Sequence, residues 1–203
     1  MKGAGRSRLP AARTGTGTLA IVFLLVLASN AARADEAAAW AALRQGGAVA
    51  LMRHGDAPGV GDPPGWRLDD CATQRNLGER GRAEARAVGA RLRAERIAID
   101  RVVSSPWCRC IETARLVDAG PVHVEPAFAN AFVLRDRREA LRDAGHAVVA
   151  AWRGPGTLLV VTHGENISAL TGRTPATAEI VVVASDAGGV LREVGAVPAP
   201  APH

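Results

Sequence analysis

Two repeat lengths govern where apolar residues fall along this chain. Ala48–Met52 (AVALM) and Thr157–Val161 (TLLVV) are short unbroken apolar runs. They are too short for helices and lie close to glycines, so each predicts a strand buried on both faces. Asp100–Ser104 (DRVVS) and Val122–Val124 predict two further strands, and Ile180–Ala184 and Val190–Val194 a closing pair across Asp186-Ala187-Gly188-Gly189. Between these runs the apolar spacing lengthens to that of a helix. Leu77–Ile97 places Leu77, Ala85, Val88, Leu92 and Ile97 on one face and leaves its Arg and Glu residues to water. Trp107–Asp118 follows Ser105-Pro106, Arg135–Trp152 turns Leu141, Val148 and Val149 inward, and a helix begins over Glu165–Leu170. Asp35–Arg44 reads as a short leading helix stopped by Gly46-Gly47. Residues 56–76 show no period and are dense in Pro and Gly, so they predict a loop whose length points to function. Strands alternating with helices predict an α/β fold: a three-layer α/β/α sandwich on a mostly parallel central sheet with right-handed crossovers.

The chain has 203 residues, enough for one domain with a substantial core. Residues 1–34 stand apart. Lys2, Arg6, Arg8 and Arg13 precede an apolar run, Leu19–Ala28, and Ala32-Arg33-Ala34 follows with small residues at the positions a signal peptidase reads. This is the pattern of a secretory signal peptide, and the run is short for a membrane span. An uncleaved anchor is the alternative, and both predict export, to the periplasm or beyond. Residues 35–196 are then the catalytic domain, and 197–203 a disordered Pro/Ala tail.

The leader also accounts for the charge. It holds five of the 25 Lys and Arg residues and no acid, so the remainder carries 20 basic and 20 acidic residues. A balanced mature chain gives no electrostatic case for nucleic acid, and it has no segment for stable membrane insertion once the leader is gone. In an oxidising compartment Cys71 is expected to pair with Cys108 or Cys110, which are too close in sequence to pair with each other; three unpaired thiols are the alternative. No spacing suggests a zinc site, and oligomeric state is not legible.

Ligands of open α/β sheets bind beyond the carboxyl ends of the strands. His54 follows AVALM within Arg53-His54-Gly55, and His163 follows TLLVVT within Thr162-His163-Gly164. Gly55 and Gly164 let a ligand approach the backbone. Ser104-Ser105-Pro106 ends the second strand and leads to Arg109 in the first turn of a helix. Two imidazoles and two guanidinium groups at one sheet edge suit a phosphate: the planar guanidinium matches its oxygens, and a His can take the phosphoryl group covalently. Such a set supplies the charge that phosphoryl transfer needs without a metal or other cofactor.

Leu51-Met52-Arg53-His54-Gly55, Thr73-Gln74-Arg75-Asn76-Leu77 with Gly81, Ser104 through Ala114, and Val161-Thr162-His163-Gly164 resemble, in order and spacing, the histidine phosphatase superfamily with its phosphoglycerate-mutase-like fold. The resemblance spans nearly all of residues 47–185 and is nearest to small bacterial members without a large cap. It implies His54 as the phosphorylated nucleophile and Arg53, Gly55, Arg109 and His163 as the phosphate pocket. It implies a phosphatase for a small phosphorylated substrate, either a phosphomonoester or phosphohistidine. One position departs from the family. Asn130 stands where many members carry the acidic residue that protonates the leaving group. Asp136 or Asp56 is expected to substitute. Without that acid a second reading stays open, a weak or inactive pseudo-phosphatase that binds a phosphorylated ligand.

Overall fold

The computed structural model of the protein describes residues 32–200. The leader, except its last three residues, and the tail residues 201–203 lie outside that range. Helix α1 covers 32–45. Strand β1 is Val49–Arg53, helix α2 Glu79–Ala94, β2 Ile99–Ser104, α3 Cys108–Val117 and β3 Val122–Val124. Helix α4 is Arg138–Ala150, β4 Thr157–Thr162, α5 Gly164–Thr171, β5 Ile180–Ser185 and β6 Leu191–Val197. The strands form one sheet in the order β3-β2-β4-β1-β5-β6. β1, β2, β3 and β4 are mutually parallel, and β5 is antiparallel to both β1 and β6.

The period-2 alternation sorts the strands' side chains onto two faces. Ala50, Met52, Val102, Leu159, Val161 and Val182 point to one side and meet Leu43 of α1, Val88 of α2 and Val117 of α3. Val49, Leu51, Val103, Leu158, Val160 and Val183 point to the other and meet Val149 of α4 and Ile167 of α5. This is the expected three-layer α/β/α sandwich with a mostly parallel sheet.

Helix limits differ from the sequence reading where a cap intervenes. α2 starts at Glu79 because Gly78 is extended. It ends before Ile97 because Arg96 turns left-handed (φ 56°). The amide of Arg96 then donates to the Arg93 carbonyl and that of Ile97 to the Leu92 carbonyl. This is a Schellman closure with Leu92 and Ile97 packed in the same cluster. Residues Arg135–Arg137 form a tighter 3-10 turn ahead of α4. The tail reading is shifted too, since Val197 is the last residue of β6 and is buried.

Close backbone packing seats α2 against the end of β1. A Cβ on Gly81 would lie 2.0 Å from the Asp56 carbonyl oxygen, so only glycine fits there. The loop after β1 is held at its far end by a disulfide, Cys71–Cys108. Cys110 remains a free, buried thiol. Two residues apart on a helix face different ways, so Cys108 meets the loop while Cys110 enters the core.

Replacing Cys71 and Cys108 together by Ser removes a cross-link over 37 residues. In urea unfolding the double variant is expected to lose about 2–4 kcal/mol relative to the oxidised parent. A loss of less than about 0.5 kcal/mol would mean that the loop is held by its other contacts alone.

Candidate active site

Strand register brings the chemistry together. Arg53 pairs with Thr162, and Met52 and Ser104 both pair with Val161. Three parallel strands therefore end at one level. The next residue of each chain continues the pattern: the His54 amide donates to the Thr162 carbonyl (2.9 Å) and that of Ser105 to the Val161 carbonyl (2.9 Å). His54 and His163, far apart in sequence, end up edge to face with ring centroids 5.4 Å apart. Both are buried, on the floor of a cleft of about 570 Å3. Arg53, Arg75, Arg109 and Asn130 also line it, with Val60 and Phe132 among the residues at its mouth.

His54 Nδ1 lies 2.7 Å from the Gly55 carbonyl oxygen. A carbonyl only accepts, so in the neutral ring the proton sits on Nδ1 and the lone pair is on Nε2. Arg109 Nε donates to that Nε2 (3.3 Å), which agrees. Burial first, then the charges of Arg109, Arg75 and Arg53, lower the His54 pKa to about 3, against a counter-effect from the Gly55 hydrogen bond. His163 is held well below its ordinary value, chiefly by burial and then by His54 and Arg109. Its Nε2 is 2.8 Å from Ser105 Oγ, and the rings of Trp107 and His163 meet edge to face. Cys110 Sγ sits beside the His163 ring, and burial pushes its thiol up to about 12, so it stays uncharged.

Arg109, in the first turn of α3, is fixed from three sides. Asp62 accepts from its Nη1 (2.8 Å), the Arg75 carbonyl accepts from the same nitrogen (3.1 Å), and His54 meets its Nε. Asp62 also accepts from Trp107 Nε1 (2.9 Å) and from the Arg75 amide (3.0 Å). Although burial opposes it, bonding and attraction from Arg109 hold the Asp62 carboxyl below its usual range. Thr113, one turn beyond Arg109, donates to the Arg109 carbonyl and accepts from the Gly55 amide, tying α3 to the His54 segment. Gln74 accepts from the amide of Cys108, satisfying a free N–H at the start of α3.

Arg53, His54, Arg109 and His163 thus meet at one cleft, whereas Gly55, expected in the phosphate pocket, does not line it: a Cβ there would lie 2.4 Å from the Gly81 carbonyl oxygen, and its amide already donates to Thr113. Asp136 does not join them. It sits exposed in the 3-10 turn ahead of α4 and is not among the residues that line the cleft. The carboxylates that do line the cleft are Asp56 and Glu165, and Glu165 is ion-paired with Arg138. Asn130 lines the cleft, and its Oδ1 accepts from the Phe132 amide. Sequence reasoning missed Asp62 and Thr113. Asp62 lies in an aperiodic loop and carries no local signal, whereas Thr113 was recoverable from its i, i+4 spacing to Arg109. Among the described residues no group of three or more His, Cys, Asp or Glu side chains is arranged to hold a metal ion.

Solved structures share this fold. The protein histidine phosphatase SixA, solved with tungstate, is 24% identical, with a TM-score of 0.50 over 74% of this chain and 96% of its own. A mycobacterial glucosyl-3-phosphoglycerate phosphatase is 18% identical, with a TM-score of 0.55 over 75% and 99%. A phosphoserine phosphatase from Entamoeba histolytica, solved with 3-phosphoglyceric acid, is 13% identical, with a TM-score of 0.53 over 73% and 95%. No curated protein sequence matches the chain. The family model for the histidine phosphatase superfamily (branch 1) matches residues 49–182, from the first residue of β1 into β5. The chain belongs to that superfamily and is an enzyme, a phosphoric monoester hydrolase.

Proposed function

We propose that the protein hydrolyses a small phosphomonoester or a phosphohistidine through a covalent phosphohistidine on His54. The observation that carries this reading is the pair of buried imidazoles, 5.4 Å apart, in one cleft with the guanidinium groups of Arg53 and Arg109. The Nε2 lone pair of His54 attacks phosphorus. An N–P bond to His54 forms as the bond from phosphorus to the leaving group breaks, P–O in a phosphomonoester and P–N in a phosphohistidine. Arg53, Arg109 and His163 hold the non-bridging oxygens and stabilise their charge, which is most of what this chemistry asks of a protein. Water then attacks the phosphohistidine, releases phosphate and restores the imidazole.

Protonation of the leaving oxygen falls to Asp56, a cleft carboxylate that follows the nucleophile motif, since Asn130 has no proton of suitable acidity to give. A substrate whose leaving group departs readily, such as phosphohistidine, would need little help. The named relatives act on a phosphoprotein histidine, a glucosyl phosphoglycerate and phosphoserine. Their range fits a cleft that grips the phosphoryl group closely and leaves the rest of the substrate to the mouth residues. An exported location fits the leader pattern and the Cys71–Cys108 disulfide, because such bonds persist in oxidising compartments.

His54→Ala is expected to lower turnover of p-nitrophenyl phosphate at least about 10³-fold. An acid-labile, base-stable phosphoenzyme should be trapped from the parent and not from the variant. Undiminished turnover in the variant would refute covalent catalysis at His54, and a parent that binds phosphate without forming the adduct would favour a binding role.

The pH dependence has a definite sign. A histidine with a folded-state pKa lowered to about 3 stays in its attacking form as pH falls through the ordinary histidine range. An unperturbed imidazole would be only about 3% neutral at pH 5, a loss of about 30-fold from pH 7 or above. Once corrected for the substrate's own ionisation, kcat/KM at pH 5 is therefore expected to stay within about threefold of its value at pH 7. A fall that follows a single group near pH 6.5 would show that the nucleophile is not shielded as described.

A further inference from the structure

We propose that Arg75 is a third phosphate-binding guanidinium, a catalytic residue whose unpartnered Nε and free Nη2 donate to a non-bridging oxygen of the group being transferred. The assignment rests on the phosphatase reading of the cleft and adds to the phosphate pocket a residue outside the Arg-His-Gly and Ser-Ser-Pro segments.

The argument starts with donors. A guanidinium has five N–H groups and no acceptor. Arg109 commits most of its set within the protein: Nε to His54, Nη1 to Asp62 and to the Arg75 carbonyl, and Nη2 to Asp62 at 3.5 Å. Little of it remains for a phosphate with three non-bridging oxygens. Arg53 gives Nη1 to the Pro175 carbonyl (2.9 Å), and its Nε is buried with no partner. Arg75 gives Nη1 to the Ala57 and Gly59 carbonyls, and its Nε is likewise buried with no partner. Among the described residues only one other buried side-chain nitrogen or oxygen lacks a partner, Thr157 Oγ1 at the start of β4, the end of the strand away from His163. The other two orphans are therefore guanidinium Nε atoms in the same cleft as His54. A buried donor left without an acceptor is costly, because its hydration is lost and not replaced. Two such donors in one cleft call for a shared acceptor, and a phosphoryl dianion is one.

Charge leads to the same place. Asp62 is already bonded to Arg109, and the partners of Arg75 Nη1 are carbonyls rather than carboxylates. Burial, and then repulsion by Arg109, lower the Arg75 pKa, the Asp62 charge opposing, which is the signature of a cation short of counter-charge. Its field weighs on His54 more than that of Arg53 does. The residue is also held ready. Its amide donates to Asp62, its carbonyl accepts from Arg109, and the Cys71–Cys108 link lies four residues upstream. Donors fixed before the substrate arrives cost no reorganisation during the reaction.

The test uses the full chain with Arg75→Met and Arg75→Lys, p-nitrophenyl phosphate as substrate and inorganic phosphate as competitive inhibitor. Arg75→Met is expected to lower kcat/KM about 10²-fold and to raise the phosphate inhibition constant at least about tenfold, and Arg75→Lys to recover part of both. A purely loop-pinning role would leave phosphate affinity unchanged. Both constants within about threefold of the parent in both variants would overturn the assignment. For a variant that does not fold, the parent itself decides. Phenylglyoxal labelling read by peptide mass should reach Arg75 in the free protein and be blocked by inorganic phosphate, and unblocked labelling would overturn the proposal. A parent without any phosphatase activity would instead sink the function proposed above, while the labelling result would still judge Arg75.

Discussion

The site depends on one constraint, the parallel register of β1, β4 and β2. Backbone hydrogen bonds fix Arg53 opposite Thr162 and Ser104 opposite Val161. That ladder continues one residue past the strands, to the amides of His54 and Ser105. The imidazoles therefore meet because three strands stop at the same height. A shift of one residue in β4 would turn His163 to the opposite face. Buried Val, Leu and Met side chains on both faces of the sheet hold the register, so the core and the site share one cause.

Around the imidazoles the protein gathers positive charge that it does not fully neutralise. Neutral histidines reduce the burden, since burial and the neighbouring guanidinium groups keep both uncharged. Asp62 offsets Arg109 and fixes its direction. The loop that supplies Asp62 and Arg75 to this charged floor is anchored at several points. The Cys71–Cys108 bond, Gln74 against the start of α3, and Trp107 against Asp62 act within a few residues of Arg109. A long loop, regular only at the 3-10 turn Cys71–Thr73 and the Arg67–Asp70 bridge, is thus pinned as a wall of the cleft, the arrangement that preorganised electrostatic catalysis requires. The same loop carries Val60, which is exposed at the mouth of the cleft, opposite the charged floor.

The sequence by itself determined the layers and the chemistry. Apolar runs of strand length alternating with helical periods specify an α/β/α sandwich, because each pattern buries its apolar face in only one kind of element. Arg53-His54-Gly55 and His163 were legible because they stand at the ends of strands, where such sheets bind ligands, and Arg109 because it lies in the first turn of the helix that follows β2. What only the tertiary structure decided lies in the loop and at the helix caps. No periodicity marks Asp62 as a buried carboxylate, and nothing local separates Cys108 from Cys110 as the partner of Cys71 or reveals the orphaned Nε of Arg75. On paper Asp136 was the acid named for the site, with Asp56 as another substitute, yet of the two only Asp56 lines the cleft. The physical reason is range: periodicity reports how a residue faces its own element, whereas these assignments turn on contacts between segments dozens of residues apart, which exist only once the sheet has brought its strand ends together.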